Sequence, residues 1–260
     1  MKGKRRKLPH LFQNWDAVAA RIRDSHHVSV FLDFDGTLVP FAPRPELVQL
    51  DPATRGALQR LARRRQVTLA VISGRRRNEL QHFIPDRHLR YLGLYGWERN
   101  SRISLSPTEE IDLYRAHVVL ADKLSVFPRL WIEPKGISLS IHLRDVPIAS
   151  RDKARRAVRR LLVPFHRHLQ LFENLRDIEV VPNSIRDKGA AVSDLLAKPF
   201  MSRDFPVFFG DDLSDESAFH AVRKGISVLV GKPRKTHAQY HLRGPAEVTA
   251  ALARLEQALS

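Results

Sequence analysis

Apolar residues in this chain come in short runs that stop abruptly at acids, glycines or small hydroxyl residues. VSVFL at 28–32 runs into Asp33, VTLAVI at 67–72 into Ser73-Gly74, and PVFFG at 206–210 into Asp211-Asp212. Such runs, bounded by turn residues, read as buried strands, and near-continuous rather than alternating apolarity marks strands covered on both faces. Helix-like stretches lie between them at 52–64, 76–83, 187–198, 214–222 and 245–258, with further strands at 90–95 (RYLGLY) and 225–230 (GISVLV). Strands alternating with helices predict a parallel sheet with right-handed crossovers.

Between 101 and about 180 the rhythm changes. RISLS, a helix at 108–124, then LWIEP and ISLSIHLR read as a strand, a helix and a hairpin turning at Lys135-Gly136. Ile137, Leu139, Ile141 and Leu143 alternate with polar residues, as expected of a sheet with one covered face. A basic helix at 150–163 and strands near 169–173 and 177–181 complete the segment. The expected fold is therefore α/β: a core of 16–100 and 183–260 with helices on both faces of a parallel sheet, interrupted by an α+β domain at 101–182 and preceded by a basic tail at 1–15.

Composition narrows the class. A hydrophobic content of 43% with 28% charged residues fits a soluble globular protein. No segment approaches the roughly 18 apolar residues of a membrane span. MKGKRRKLPHLF at the start lacks an apolar signal region, and the absence of cysteine excludes disulfide, thiolate and zinc–thiolate chemistry. The expectation is a cytoplasmic protein. It is also a monomer, since neither a heptad nor a long apolar edge is visible. The formal charge of +16 raises the prospect of nucleic acid as a partner. Its basic clusters, KGKRRK at 2–7, RRR at 63–65 and 75–77, and RR at 155–156 and 159–160, carry no interleaved aromatics, and read as solvated helix faces and ends instead.

The chemistry lies at the ends of the strands. Asp33, Asp35 and Thr37 flank Gly36; Ser73-Gly74-Arg75 follows the second strand; Lys188 opens a helix; Asp211, Asp212 and Asp215 follow VFFG. Open parallel sheets place ligands at the carboxyl ends of their strands, so these clusters can converge on one crevice. Carboxylates suit a hard cation such as Mg²⁺, while hydroxyls, backbone N–H groups and a lysine suit a phosphoryl group. A carboxylate placed in line can attack phosphorus. A calcium loop of the EF-hand kind fits poorly, because its glycine stands sixth and Gly36 stands fourth when Asp33 is counted first.

These residues, in this order, resemble the haloacid dehalogenase (HAD) superfamily of phosphotransferases: DFDGTL its first motif, Ser73 its second, Lys188 its third and GDDLSD (210–215) its fourth. The resemblance implies an Mg²⁺-dependent phosphatase with a HAD-like core and an inserted cap. Asp33 would be nucleophile and metal ligand. Asp35 would carry the proton to and from the substrate oxygens and bind the metal through its carbonyl. Gly36, Thr37, Ser73, Gly74 and Lys188 would hold the phosphoryl group, and Asp211, with Asp212 or Asp215, would complete the metal site.

LGLYGWE (92–98), EPKGISLSIHLR (133–144), DIEVVPNSIRDKGAAV (177–192), FGDDLSDESAF (209–219) and VLVGKPRKTHAQYHLRGPAEV (228–248) resemble, within that superfamily, the trehalose-6-phosphate phosphatases. The implied substrate is trehalose 6-phosphate, with Glu133, Lys135 and Glu179 reading sugar hydroxyls and Arg75 near the substrate. Related sugar phosphates, such as sucrose or mannosylglycerate precursors, are the alternative substrates. A retired phosphatase fold that binds polyanions is the alternative of another class. The chain departs from the family pattern at Tyr95, where histidine is usual, and at Val181, where arginine is usual. Glu133 and Lys135 could also form a surface ion pair, and His142, on the polar face of its strand, reads as solvated. The His166–His168 pair lacks a third ligand for a metal. Trp97 and Trp131 read as packing residues.

Overall fold

The computed structural model describes residues 8–42, 44, 47–98 and 105–260. KGKRRK, part of the proline-rich loop after Leu38 and most of the RISLS strand fall outside them. In chain order the elements are α1 (Trp15–Arg23), β1 (Val28–Leu32), α2 (Pro52–Ala62), β2 (Val67–Ile72), α3 (Arg77–Phe83) and β3 (Arg90–Leu92). Then come α4 (Pro107–Leu124), β4 (Trp131–Pro134), β5 (Leu139–His142), α5 (Ile148–Leu162), β6 (Leu169–Glu173) and β7 (Asp177–Pro182). The last are α6 (Lys188–Leu196), β8 (Phe205–Gly210), α7 (Glu216–Ala221), β9 (Ile226–Val230), β10 (Tyr240–Leu242) and α8 (Pro245–Ala258). They form two compact units, Met1–Asn100 with Asp187–Ser260, and Ser101–Arg186.

The first unit holds a parallel sheet in the order β10-β9-β8-β1-β2-β3. All five residues of β1 are buried, and Ser29, its one polar residue, donates its hydroxyl to Asp204 Oδ2 at 2.6 Å. Its side chains alternate between two cores. Val28, Val30 and Leu32 join residues of α1, α2 and α8 on one face, while Phe31 meets residues of α6 and α7 on the other. Helices thus cover both faces of the sheet, the α/β class expected. The chain leaves β1 toward β2 on one side and later returns to β8 on the other, which makes β1 the topological switch point where such sheets open a crevice.

Three features of this unit depart from the sequence reading. The third strand ends at Leu92, because Leu94 and Tyr95 adopt left-handed backbone angles (φ 49° and 61°). Their amides donate to Arg75 O (2.9 Å) and Ser73 O (2.8 Å), so the chain abandons the ladder to clasp the loop after β2. The helix α1 and the short edge strand β10 have no counterpart in the sequence pattern, the latter because three residues carry too little periodicity. The stretch assigned to a tail is structured where described: Leu11–Asn14 form a 3₁₀ turn, and His10 bridges His241.

The second unit is a four-stranded antiparallel sheet, β4-β5-β7-β6. Leu139, Ile141, Ile178 and Val180 project onto α4 and α5, and Ser140, His142, Asp177 and Glu179 alternate to the opposite face. The hairpin turns through Lys135 to Ser138, whose backbone bond is 2.9 Å, with Gly136 at φ +82° supplying the left-handed position. The unit extends past β7 because Asn183 and Ile185 stay tied to it, Asn183 N to His168 O at 2.8 Å and Gln170 Nε2 to Ile185 O at 2.7 Å. No helix of the described residues is long and apolar enough to cross a membrane.

Candidate active site

Asp33 follows β1 directly, and its amide continues the ladder to Phe209 O at 2.9 Å. The parallel register of β1 with β8 and β2 brings the ends of all three strands together at one edge of the sheet. There Lys188, on the first turn of α6, donates to Asp33 Oδ1 at 2.6 Å and to Asp215 Oδ1 at 2.7 Å. Only 3% of Lys188 is exposed. Lys188 is therefore a buried cation with two carboxylate partners. The other oxygen of Asp215 accepts from the amides of Asp211 and Asp212, both at 2.9 Å, so Asp215 ties the loop after β8 to the lysine.

Asp33, Asp211 and Asp215 each offer an oxygen within 4.8 Å of the others. Burial pushes the Asp33 carboxyl up to about 7, and the charges of Asp215 and Asp35 add to that, outweighing the attraction of Lys188. Asp211 is likewise held well above the usual carboxylate range, by burial first and then by Asp33, Asp215 and Asp212. Burial opposes the charge on Lys188, yet Asp215 and Asp33 more than offset it and keep its ammonium charged far above neutrality. Three carboxylates thus face one ammonium in a buried pocket. That excess of negative charge is what a divalent cation with a preference for oxygen would offset, so the donor set fits a hard metal ion.

Gly36 gives this corner its shape. It sits at φ +87°, and a Cβ there would lie 2.3 Å from Asp211 Oδ2 and 2.4 Å from the Phe41 ring. Gly36→Ala is therefore expected to destabilise the fold by about 2 kcal/mol or more. By pushing Asp211 aside it should also lower turnover by about 10²-fold. Thermal melting and phosphate-release assays check both effects, and an alanine variant with unaltered activity would contradict the placement of Asp211. Beside Gly36, the buried Thr37 Oγ1 has no hydrogen-bond partner among the described residues. An unpaired buried hydroxyl is uncommon, and here it provides a donor at the cluster's edge.

The loop after β2 contributes Ser73 and Arg75. Ser73 is 2% exposed, and its Oγ accepts from Arg75 N at 3.2 Å. A Cβ on Gly74 would stand 3.0 Å from Tyr95 Oη, so the residue that departs from the family pattern covers this loop. The Arg75 guanidinium forks onto Asp35, Nε to Oδ2 at 2.7 Å and Nη2 to Oδ1 at 2.8 Å. It lies over the rings of Phe34 (5.3 Å) and Phe83 (5.1 Å), which fix its plane. Asp35 and Asp212 stand outside the three-carboxylate group. Asp35 is gripped by arginine, and Asp212 accepts from Leu213 N at 2.6 Å as the cap of the Leu213–Asp215 turn.

In the second unit, Lys135 donates to Glu179 at 2.8 Å, and Glu133 pairs with His142 at 2.9 Å. Glu133 and Lys135 thus bond to residues of neighbouring strands, and the charge of Glu133 also acts on Lys135. His142 is not solvated either: it also stacks on Trp131, rings 3.7 Å apart and 16° from parallel. Among the described residues, Glu179 Oε2 and the hydroxyls of Ser138 and Ser140 are buried without a hydrogen-bond partner. Register places Ser140 opposite both Glu133 and Glu179, so these groups form one polar row. Val181 is buried on β7, His168 bonds Asp112 at 2.7 Å, and Trp97 is 39% exposed.

The trehalose-phosphatase family model matches residues 31–246. The chain belongs to that family. A rice (Oryza sativa subsp. japonica) protein named probable trehalose-phosphate phosphatase 4 is 30% identical over 265 residues, covering 96% of this chain and 71% of the relative. The C-terminal domain of trehalose-6-phosphate phosphatase from C. albicans superposes with a TM-score of 0.83 at 20% identity, over 98% of this chain and 99% of that one. A haloacid dehalogenase-like hydrolase from Bacteroides thetaiotaomicron superposes at 0.60 with 17% identity, over 88% of this chain and 99% of that one. At those identities the two structures speak for the fold, and the fold they share is the HAD-like one.

Within this family site, two arrangements were not readable from the motifs. The Asp35–Arg75 fork joins residues forty positions apart. Glu98 braces the start of α3, accepting from Arg77 N at 2.6 Å and Arg76 Nη2 at 3.1 Å. The segment LGLYGWE carries the signal for the second, since it supplies both Glu98 and the left-handed turn.

Proposed function

We propose that this member of the trehalose-phosphatase family hydrolyses trehalose 6-phosphate to trehalose and phosphate, with Mg²⁺ as cofactor and Asp33 as nucleophile. The cluster of Asp33, Lys188, Asp211 and Asp215 at the switch point carries this reading, and the match over 31–246 supports the substrate. An Asp33 oxygen attacks phosphorus as the bond to the sugar oxygen breaks, and Asp35 supplies the proton that the leaving alkoxide takes. Water then attacks the phosphoenzyme, returning a proton to Asp35 and releasing phosphate and the Asp33 carboxylate. Lys188, Ser73, Thr37 and the backbone around Gly36 and Gly74 receive the phosphoryl oxygens. Asp33, Asp211 and Asp215, with the Asp35 carbonyl and Asp212 beside them, would hold Mg²⁺, which would supply positive charge against the phosphoryl oxygens when bound.

The Arg75 fork bears on this sequence of events. It occupies both oxygens of Asp35. Proton transfer needs at least one of them free, so a substrate that draws the guanidinium toward its phosphate would release Asp35 for its task. The inserted unit, with Glu133, Lys135 and Glu179, is read as the cap that recognises the sugar. Glu179 Oε2, buried and unpaired, is an acceptor suited to a sugar hydroxyl.

Substrate identity is tested by comparing kcat/KM for trehalose 6-phosphate, sucrose 6-phosphate and mannosyl-3-phosphoglycerate in Mg²⁺. The highest value is expected for the first. A higher value for either of the others overturns the substrate. No turnover of any sugar phosphate, together with salt-sensitive RNA binding, overturns the enzymatic reading itself.

The metal reading has its own signature. Asp33 titrates near 7 when folded and near 3.8 when unfolded, so the native state holds the extra proton between those values. Its contribution to stability is fully present below about 4 and is lost as pH rises through about 7. In chelator, stability should fall over that window. Added Mg²⁺ should then raise Tm more at pH ~8 than at pH ~5, because it binds the ionised cluster. Equal Mg²⁺ shifts at both pH values would count against the cluster as the metal site.

A further inference from the structure

On the first unit, away from the carboxylate cluster, a cavity of about 590 Å³ lies between α3, the segment from Pro85 through β3, and the C-terminal end of α6. Its rim carries four cations, Arg77, Arg87, Arg90 and Lys198. None of the four has a carboxylate within ion-pair distance among the described residues, whereas Arg60, Arg63, Arg155, Arg159 and Arg234 all do. The single acid of the lining, Asp86, does not neutralise them. Its side chain is 4% exposed and already accepts from His88 N at 2.8 Å and pairs with His88 Nδ1 at 2.9 Å. The Nε of Arg77 is buried with no hydrogen-bond partner among the described residues. Arg90 and Lys198 flank the exposed ring of Phe200 at 5.4 and 5.9 Å.

Four like charges held around one concavity repel one another, and a multivalent anion offsets that cost. Guanidinium groups match phosphate geometry in particular, and the volume is that of a small-molecule site. Leu89, Tyr91 and Leu195 give the cavity an apolar floor, which an organic body would cover. We infer that this cavity is a second ligand site, for a small molecule bearing at least two phosphate groups. Because Leu92 O accepts from Ser73 N at 3.1 Å and α3 begins two residues after Arg75, the site shares its walls with the elements that hold the phosphate loop.

Calorimetry with inorganic pyrophosphate as the probe tests this on the full chain in chelator, where the carboxylate cluster repels anions. One pyrophosphate should bind per chain, at least about tenfold more tightly than orthophosphate and more weakly as salt rises. Arg90→Gln with Lys198→Gln should weaken it at least about tenfold while the melting curve stays unchanged, both residues lying on the surface. Asp33→Asn should leave the affinity unaltered, since an anion at the catalytic cluster would bind that variant more tightly. No saturable binding up to about 1 mM, equal affinity in the double variant, equal affinity for orthophosphate, or a marked gain in Asp33→Asn would each overturn the inference.

Discussion

Replacing Asp33 with asparagine is expected to lower kcat for trehalose 6-phosphate at least ~10⁴-fold, because the amide keeps the shape of the side chain and loses its nucleophilic oxygen. The fold should survive. Asp33 is 5% exposed and sits where burial and the charge of Asp215 both oppose its ionised form. Lys188 keeps its 2.7 Å bond to Asp215 in the variant, so no buried cation is left without a partner. Phosphate release and thermal melting on the same sample separate the two effects. A variant that folds and retains activity within tenfold would remove Asp33 from the chemistry.

Lys188→Met should act on both stability and rate. The lysine is the cation that bridges Asp33 and Asp215, and methionine keeps much of its volume without the charge. Breaking a buried ionic network at one partner costs about 3–5 kcal/mol, because the remaining charges stay buried and uncompensated. The sign with pH follows from the carboxylates. Asp33 is already raised to about 7 with the lysine present, so removing the ammonium favours its protonated form further. The loss of stability in chelator should therefore be large at pH ~8 and small at pH ~5, where the cluster can take up protons. Urea melts at the two pH values measure it. Turnover in Mg²⁺ should fall about 10²–10³-fold with the loss of a charge facing the phosphoryl oxygens. A variant as stable as the parent at pH ~8 would contradict the burial and pairing of Lys188.

The legible parts of this molecule are those written in local pattern. The largely apolar runs 28–32 and 67–72, each with a single hydroxyl residue, announce strands covered on both faces, and the polar residues after them mark the sheet edge where ligands bind. The period-two run 137–143 announces a sheet with one polar face, and that face carries Ser138, Ser140 and His142. What stays hidden depends on partners far along the chain. Lys188 meets Asp33 across 155 residues, and from sequence its first-turn position suits a solvated side chain equally well. Arg75 grips Asp35 with both nitrogens of its fork, a pairing that no spacing rule reveals. Leu94 and Tyr95 look like strand residues and take left-handed angles because their amides are claimed by Arg75 and Ser73. Local propensity yields there to tertiary hydrogen bonds.

The fork on Asp35 gives the proposed mechanism a resting state in which the proton carrier is held by a cation lying over two phenylalanine rings. The buried cluster beside it is poised for a metal by the same crowding that raises its carboxyls. Both ideas rest on Asp33 taking the phosphoryl group.

Rapid acid quench of the enzyme turning over trehalose 6-phosphate in Mg²⁺, followed by peptide mass analysis, tests that most directly. A hydroxylamine-sensitive phosphoryl group is expected on Asp33, in the peptide spanning VSVFLDFDGTL. Phosphate released with no phosphoryl group on the enzyme at any quench time, or one found on another residue, would contradict it.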